Sequence, residues 1–232
     1  MPLKKWIESA NNAIEGILHA AKTQRHLRYH FYTAATVLLA GYVLGITRQE
    51  FMLIALAVMA VLVAELINTA VEVVVDMLSP EHSEEARQAK DIAAGAVLIA
   101  AFGSAVLGYI VFFPHIRHLF THGLKIIPRA PEEVSVIASI IVLIMVVLMK
   151  AYREKGHPLS GGMPSGHAAL AFSVWISVTF ATGNAIASAL CLVLAGLIAQ
   201  SRISSGVHSK LEAIVGAVLG TVITLALFWV FS

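Results

Sequence analysis

Four polar residues recur at helical spacing inside an apolar stretch of the sequence. Glu65, Asn68, Glu72 and Asp76 are separated by 3, 4 and 4 residues, so a helix would carry them on one narrow stripe. A carboxylate in hydrocarbon costs at least about 2.5 kcal/mol, and a polar seam between helices is more easily satisfied by Ser, Thr or Asn. Closely spaced carboxylates with an amide suit Mg²⁺, which is usually shared with substrate phosphates. The stripe therefore predicts a functional site.

Lys90 and Asp91 follow where a polar loop enters the next apolar run. A lysine at such a position can supply a point charge to a nucleotide phosphate. An aspartate at a helix start is often only a cap, so the pair alone is weak evidence. Beside the carboxylate stripe, it predicts part of a nucleotide site.

Two histidine motifs stand in the second half of the chain. Ser165 is suited to cap the helix that begins after Pro164, so that free backbone N–H groups and the helix dipole form an anion site. His208 and Glu212 lie four residues apart, so the carboxylate can orient the imidazole as a nucleophile. Cations that could bind a phosphoryl group accompany these motifs: Lys150, Arg153 and Arg202.

The composition determines which elements position these residues. Hydrophobic residues make up 58% of the 232-residue chain and charged residues 13%, against about 45–50% and about 25% in soluble domains. These values exclude a cytosolic enzyme, a secreted disulfide scaffold and a disordered chain. The net charge of +2 is too small to indicate nucleic-acid binding, and the single cysteine, Cys191, lies in an apolar run where packing explains it. The sequence is that of an integral membrane protein.

The apolar runs predict an all-α integral membrane fold with about seven transmembrane helices. The segment before them carries apolar residues from Trp6 to Ala21 at helical spacing, with basic residues around them, which predicts an amphipathic helix in the membrane interface. No cleaved signal is expected, because the first run begins only at Phe31. The predicted spans are 31–46, 51–75, 92–114, 133–150, 167–182, 185–200 and 212–231.

Basic residues predict the orientation of the chain in a plasma membrane. With the N-terminus in the cytoplasm, twelve of the sixteen Lys and Arg residues lie on the cytoplasmic side. The polar segment 116–132 is the expected linker between domains. His115, His118 and His122 near it are expected to lie in a wet interfacial loop, because no carboxylate or cysteine completes a metal-ligand set.

The segment AELINTAVEVVVD, followed by EARQAKDIAAGAVLIAA, resembles the small prokaryotic diacylglycerol kinase and undecaprenol kinase family over residues 1–115. The resemblance implies three spans, a homotrimer, and transfer of the γ-phosphate of ATP, with Mg²⁺, to a lipid hydroxyl. It implies that Glu65 is the general base and that Glu72 binds the metal. It also implies that four positions bind the nucleotide: Asn68, Asp76, Lys90 and Asp91.

One position of this half departs from the family pattern. The family usually has Glu after the Thr of AKTQRHLRYHF, where this chain has Gln24. An amide can still ligate Mg²⁺ but adds no charge, so weaker metal binding and reduced kinase activity are expected. The segment NNAIEGILHAAKT is more similar to the undecaprenol kinase branch than to the diacylglycerol kinase branch.

Residues 133–232 resemble the type 2 phosphatidic acid phosphatase superfamily through three ordered motifs: Lys150-x6-His157-Pro158, Pro164-Ser165-Gly166-His167 and Ser201-Arg202-x5-His208-x3-Glu212. The resemblance implies attack by His208 on a lipid phosphate, with Glu212 as its partner, and protonation of the leaving oxygen by His167. No cofactor is implied for this half. The phosphate would be held by Lys150, Ser165, Gly166 and Arg202.

This half also departs from its family pattern. His157 replaces an arginine, which removes a bidentate clamp that Arg153 could supply instead. Glu212 replaces an aspartate, a change expected to be tolerated. The domain has about four spans where the family commonly has six, and the missing spans precede the first motif.

Together the two resemblances predict a bifunctional membrane lipid enzyme with a kinase half (1–115) and a phosphatase half (133–232), both sites facing the cytoplasm. Its partners would be membrane lipids and ATP. One alternative is a lipid phosphatase on a catalytically weak kinase scaffold. Another is a non-catalytic lipid-binding or transport protein whose carboxylates and histidines line a path, although the intact histidine motifs argue against it. The lipid itself, of prenol, diacylglycerol or phosphatidylglycerophosphate type, stays open.

Overall fold

The computed structural model describes residues 2–79, 81, 83–123, 128–152 and 162–231, which form α-helices without any strand among them. The prediction of an all-α integral membrane protein is confirmed. The helices are α1 (Pro2–Thr23), α2 (Arg25–Val43), α3 (Arg48–Leu78), α4 (Glu84–His122), α5 (Pro131–Tyr152), α6 (Gly166–Thr182), α7 (Ala185–Ser204) and α8 (Lys210–Phe231).

Each of the seven predicted spans overlaps one helix, from α2 to α8, and the first, 31–46, runs three residues beyond the end of α2. Five helices, α3, α4, α5, α7 and α8, are long and apolar enough to cross a membrane, and α6 is a shorter apolar helix. The amphipathic segment forms α1, on which Trp6 is 72% exposed whereas Ala21 is fully buried. Its place in the membrane interface remains a prediction.

The helices α3 and α4 pack against each other and have defined N-terminal caps. Thr47 and Glu50 form a capping box at the start of α3, and Ser83 caps α4. At about 1.5 Å per residue these helices are roughly 46 and 58 Å long, longer than a hydrocarbon core of about 30 Å. Because they exceed the core, the polar C-terminal end of α3 can lie outside the hydrocarbon.

The segment predicted as a linker, 116–132, begins as helix. Pro114 lies inside α4, which continues to His122 and ends before Gly123. Proline removes its own N–H donor and its ring clashes with the carbonyl four residues before it, at a cost of about 3 kcal/mol or more, yet the helix continues beyond Pro114. His115 then contacts the carbonyl of Val111 through Nδ1 at 3.0 Å and Glu50 through Nε2 at 3.6 Å.

The chain divides into two compact units. One unit contains Thr23–Ile126, and the other contains Met1–Lys22 together with Ile127–Ser232. The helix α1 therefore groups with α5 to α8, whereas the predicted domain 1–115 joins it to α2, α3 and α4. The limits of the functional domains remain a prediction.

Small residues let α6 and α8 pack backbone to backbone. A Cβ atom at Gly216 would overlap the backbone carbonyl of Ser165, and one at Gly220 would overlap that of Ala169. Two helical turns of this contact are followed by a buried hydrogen bond of 2.8 Å between the hydroxyls of Ser173 and Thr224. Such small-residue seams allow close approach of helices in a membrane.

Replacing Gly220 with alanine is expected to destabilise the fold, because the added methyl group would enter space that the Ala169 carbonyl occupies. Overpacking of this kind costs about 1–3 kcal/mol. Thermal unfolding of the purified protein in detergent measures the effect. The matched control is Gly196→Ala on α7, where an added Cβ meets nothing within 4 Å. Equal unfolding temperatures for the two variants would contradict the seam.

Candidate functional site

The predicted stripe on α3 passes from buried to exposed along the helix. Glu65 is 5% exposed and Asn68 is 8% exposed, whereas the side chain of Asp76 is 56% exposed. The buried Asn68 Oδ1 has no hydrogen-bond partner among the described residues. A buried amide oxygen is thus left available about one helical turn from the buried Glu65.

Glu72 is the carboxylate on which neighbouring amides converge. Asn68 Nδ2 donates to Glu72 Oε1 at 2.9 Å, and Gln24 Nε2 donates to Glu72 Oε2 at 3.2 Å. Gln24 lies at the junction of α1 and α2, so the tertiary fold brings it to the stripe. Because its amide nitrogen faces Glu72, its oxygen is the atom that could bind a cation.

Lys90 also reaches the stripe, by an ion pair between its Nζ and Asp76 Oδ1. Asp91 does not: it accepts a hydrogen bond of 2.7 Å from Arg87, which is held on its other side by Glu84. Sequence reasoning missed Arg87, although its spacing of three and four residues from these acids is a recognisable helix pattern. The structure therefore joins Lys90, but not Asp91, to the α3 carboxylates.

The residues of the stripe fit a magnesium ion. Within the described part of the chain, no group of three or more His, Cys, Asp or Glu side chains could hold a metal by itself. Mg²⁺ does not need such a group, because it commonly uses one or two carboxylates and completes its shell with substrate phosphates and water. The unpartnered oxygen of Asn68 beside the Glu72 carboxylate suits that role.

A second cluster forms where α5, α6 and α8 begin or end. The side chain of His208 is 2% exposed, and its Nδ1 lies 2.9 Å from Glu212 Oε2. The carboxylate therefore orients the ring and leaves Nε2 for other chemistry. This pairing agrees with the geometry predicted from the four-residue spacing.

The N-terminus of α6 lies against the His208–Glu212 pair. Ser165 is fully buried, caps α6 through Ala168 N, and donates its own N–H to the backbone oxygen of Glu212 at 3.0 Å. Gly166 opens the helix, where a Cβ would approach Val146 to 3.2 Å. The anion site predicted at this first turn remains a prediction.

Positive charge surrounds the cluster. His167 is exposed and interacts electrostatically with Lys150, Arg202 and His208. Lys150 is 7% exposed and is attracted by Glu212. The six predicted residues with side chains in this half are therefore brought together: Lys150, Ser165, His167, Arg202, His208 and Glu212.

Lys22 is a further cation of this cluster that sequence reasoning missed. It lies at the C-terminal end of α1 and interacts electrostatically with Lys150. No motif links the two lysines, because they are far apart in the sequence. The signal that could have found Lys22 is its position on the predicted cytoplasmic side, which is also the predicted side of Lys150. Arg153, His157 and Pro158 lie outside the described residues.

The first half of the chain is similar to proteins of known family. The family model for prokaryotic diacylglycerol kinase matches residues 11–112. Undecaprenol kinase of Bacillus subtilis is 36% identical over 112 residues, covering 48% of this chain and 91% of that protein. Diacylglycerol kinase of Haemophilus influenzae is 33% identical over 112 residues, covering 48% of this chain and 95% of that protein.

Diacylglycerol kinase of Synechocystis is 37% identical over 105 residues, covering 45% of this chain and 60% of that protein. No solved structure matches the chain. The matched region contains the α3 stripe together with Gln24 and Lys90. By these matches, the chain belongs to the prokaryotic diacylglycerol kinase family.

Proposed function

We propose that this protein is a bifunctional membrane lipid enzyme that phosphorylates a lipid alcohol with ATP and removes phosphate from a lipid phosphate. Membership of the kinase family supports the first activity, with lipid and ATP as substrates. The observation that carries the second is the His208–Glu212 pair, oriented beside the capped N-terminus of α6.

In the kinase half, the buried Glu65 would act as general base. It takes the proton of the lipid hydroxyl as that oxygen forms a bond to the γ-phosphorus and the bond to ADP breaks. Mg²⁺, when bound, neutralises charge on the β- and γ-phosphates, and Glu72, Asn68 and Gln24 are the residues that would hold it. Lys90, oriented by its ion pair with Asp76, would bind the nucleotide phosphates.

In the second half, His208 Nε2 would attack the phosphorus of the lipid phosphate while the lipid oxygen leaves with a proton from His167. A water molecule then gives its proton to His167 and breaks the phosphorus–nitrogen bond, which releases phosphate and restores His208. The charge on the transferring phosphoryl group is stabilised by Lys150, by Arg202 and by the backbone N–H groups that follow Ser165 in the first turn of α6.

The lipid is proposed to be undecaprenol or diacylglycerol, because the relatives of the first half carry those names. We place the protein in a prokaryotic plasma membrane with the N-terminus in the cytoplasm, as a homotrimer through its kinase half. Labelling of a cysteine introduced at Ser83 by an impermeant reagent outside intact cells would contradict this orientation.

The direct test supplies the purified protein with labelled Mg-ATP and undecaprenol or diacylglycerol, and then with a preformed labelled lipid phosphate. Chelation of magnesium is expected to stop transfer from ATP but not release of phosphate. Release that stops on chelation would contradict the histidine mechanism. Release without transfer would favour the second candidate, a phosphatase on a weak kinase scaffold, which the neutral Gln24 beside Glu72 supports. Absence of both activities would favour a lipid-binding or transport protein.

Replacing Lys22 with alanine is expected to raise the KM for lipid phosphate about threefold to tenfold with little change in kcat, because the cluster loses the positive charge that Lys22 adds beside Lys150. The measurement is steady-state phosphate release at varied lipid phosphate. Lys5→Ala, at the exposed N-terminal part of α1, is the matched control. An equal KM for both variants would contradict the assignment of Lys22 to this site.

A further inference from the structure

The two carboxylate oxygens of Glu212 serve different parts of the second cluster. Oε2 lies 2.9 Å from His208 Nδ1 and accepts from the backbone N–H of Ser209 at 3.1 Å. Oε1 accepts from the backbone N–H of Gly162 at 3.1 Å. One carboxylate therefore joins His208, which precedes α8, to the segment that leads into α6.

The segment 162–165 is fixed to the first turn of α8 at both its ends. The Glu212 side chain holds the N–H of Gly162, and the Glu212 backbone oxygen accepts from Ser165 at 3.0 Å. Gly162 has φ of +93°, a conformation that favours glycine. The absence of a side chain on Gly216 lets the Ser165 carbonyl lie against α8. The anion site at the start of α6 thus depends on Glu212 for its position.

The length of the glutamate side chain permits this double contact. An aspartate is shorter by one methylene, about 1.5 Å, so a contact of 3.1 Å would open beyond the range of a hydrogen bond. An aspartate could shift toward His208 and Ser209, which lie only four and three residues before it, but it could not reach Gly162 on the other side at the same time. The side chain of Glu212 therefore does one task that an aspartate can do and one that it cannot.

We propose that Glu212 is a positioning residue for the phosphate-binding turn 162–165 as well as for His208, and that this second task requires glutamate. The inference rests on the proposed phosphatase activity. It goes beyond the expectation from the sequence, which was that glutamate is tolerated in place of aspartate at this position.

The test compares Glu212→Asp with Glu212→Gln in phosphate release from lipid phosphate. Glu212→Asp is expected to raise KM, and the Ki of orthovanadate in parallel, about fivefold to tenfold with kcat within about threefold, because one hydrogen bond to the binding turn is lost. Glu212→Gln also loses the charge opposite His208, so its kcat is expected to fall at least about 100-fold. Glu132→Asp, an exposed residue of α5, is the matched control.

Kinase activity of each preparation, with its unfolding temperature, reports whether the variant is folded. If Glu212→Asp has the KM and Ki of an active wild type, or loses only kcat, the inference is overturned while the proposed function stands. If the wild type releases no phosphate, the proposed function and the inference fall together. Should Glu212→Asp not fold, an unchanged orthovanadate Ki in Glu212→Ala would overturn the inference, because alanine has no atom that can accept the N–H of Gly162.

Discussion

Replacing His208 with alanine is expected to abolish release of phosphate from a lipid phosphate, by at least about 10³-fold, and to leave phosphoryl transfer from ATP unchanged. The imidazole is the proposed nucleophile, and its side chain is 2% exposed and oriented by Glu212 at 2.9 Å. A water molecule in the space left by the imidazole would be a weaker nucleophile and would not be held by Glu212 in the same orientation. Both activities are measured on one preparation with labelled substrates.

The covalent step offers a second readout for His208. After a brief reaction with labelled lipid phosphate, the wild type is expected to retain acid-labile label on protein, and His208→Ala is not. His26→Ala, an exposed histidine of α2, is the matched control and is expected to behave as wild type. Label that persists in His208→Ala would assign the nucleophile to another residue.

Replacing Glu72 with alanine is expected to reduce transfer from ATP by about 10³-fold or more while phosphate release continues. Glu72 is the carboxylate to which Gln24 and Asn68 both donate. Its loss leaves two amide donors without an acceptor and removes the negative charge that Mg²⁺ requires. The measurement is the rate of lipid phosphorylation over a range of Mg²⁺ concentrations.

A matched pair of variants separates charge from packing at this position. Glu72→Gln keeps the volume of the side chain but not its charge, and is expected to be nearly as inactive as Glu72→Ala. Glu81→Ala removes an exposed carboxylate between α3 and α4 and is expected to retain activity. Transfer at the wild-type rate in Glu72→Gln would contradict the metal assignment.

Much of the fold was predictable because membrane helices are specified locally. Apolar runs near 20 residues have few alternatives to a helix in hydrocarbon, and each of the seven predicted spans overlaps a helix. Caps and i,i+4 pairs are also local, so Ser165 and the His208–Glu212 pair were predictable from spacing. The continuation of α4 through Pro114 was not, because a proline weakens a helix without always ending it.

Residue types and spacing were enough to identify the groups that could do chemistry: the α3 carboxylates and the paired histidine, each costly enough in an apolar chain to require a reason. Which groups meet them from elsewhere in the chain depends on the packing of the helices. The tertiary structure brought Gln24 to Glu72, Lys90 rather than Asp91 to Asp76, and Gly162 to Glu212. These contacts join residues far apart in the sequence. Helical periodicity aligns only residues a few positions apart, so it could not predict them.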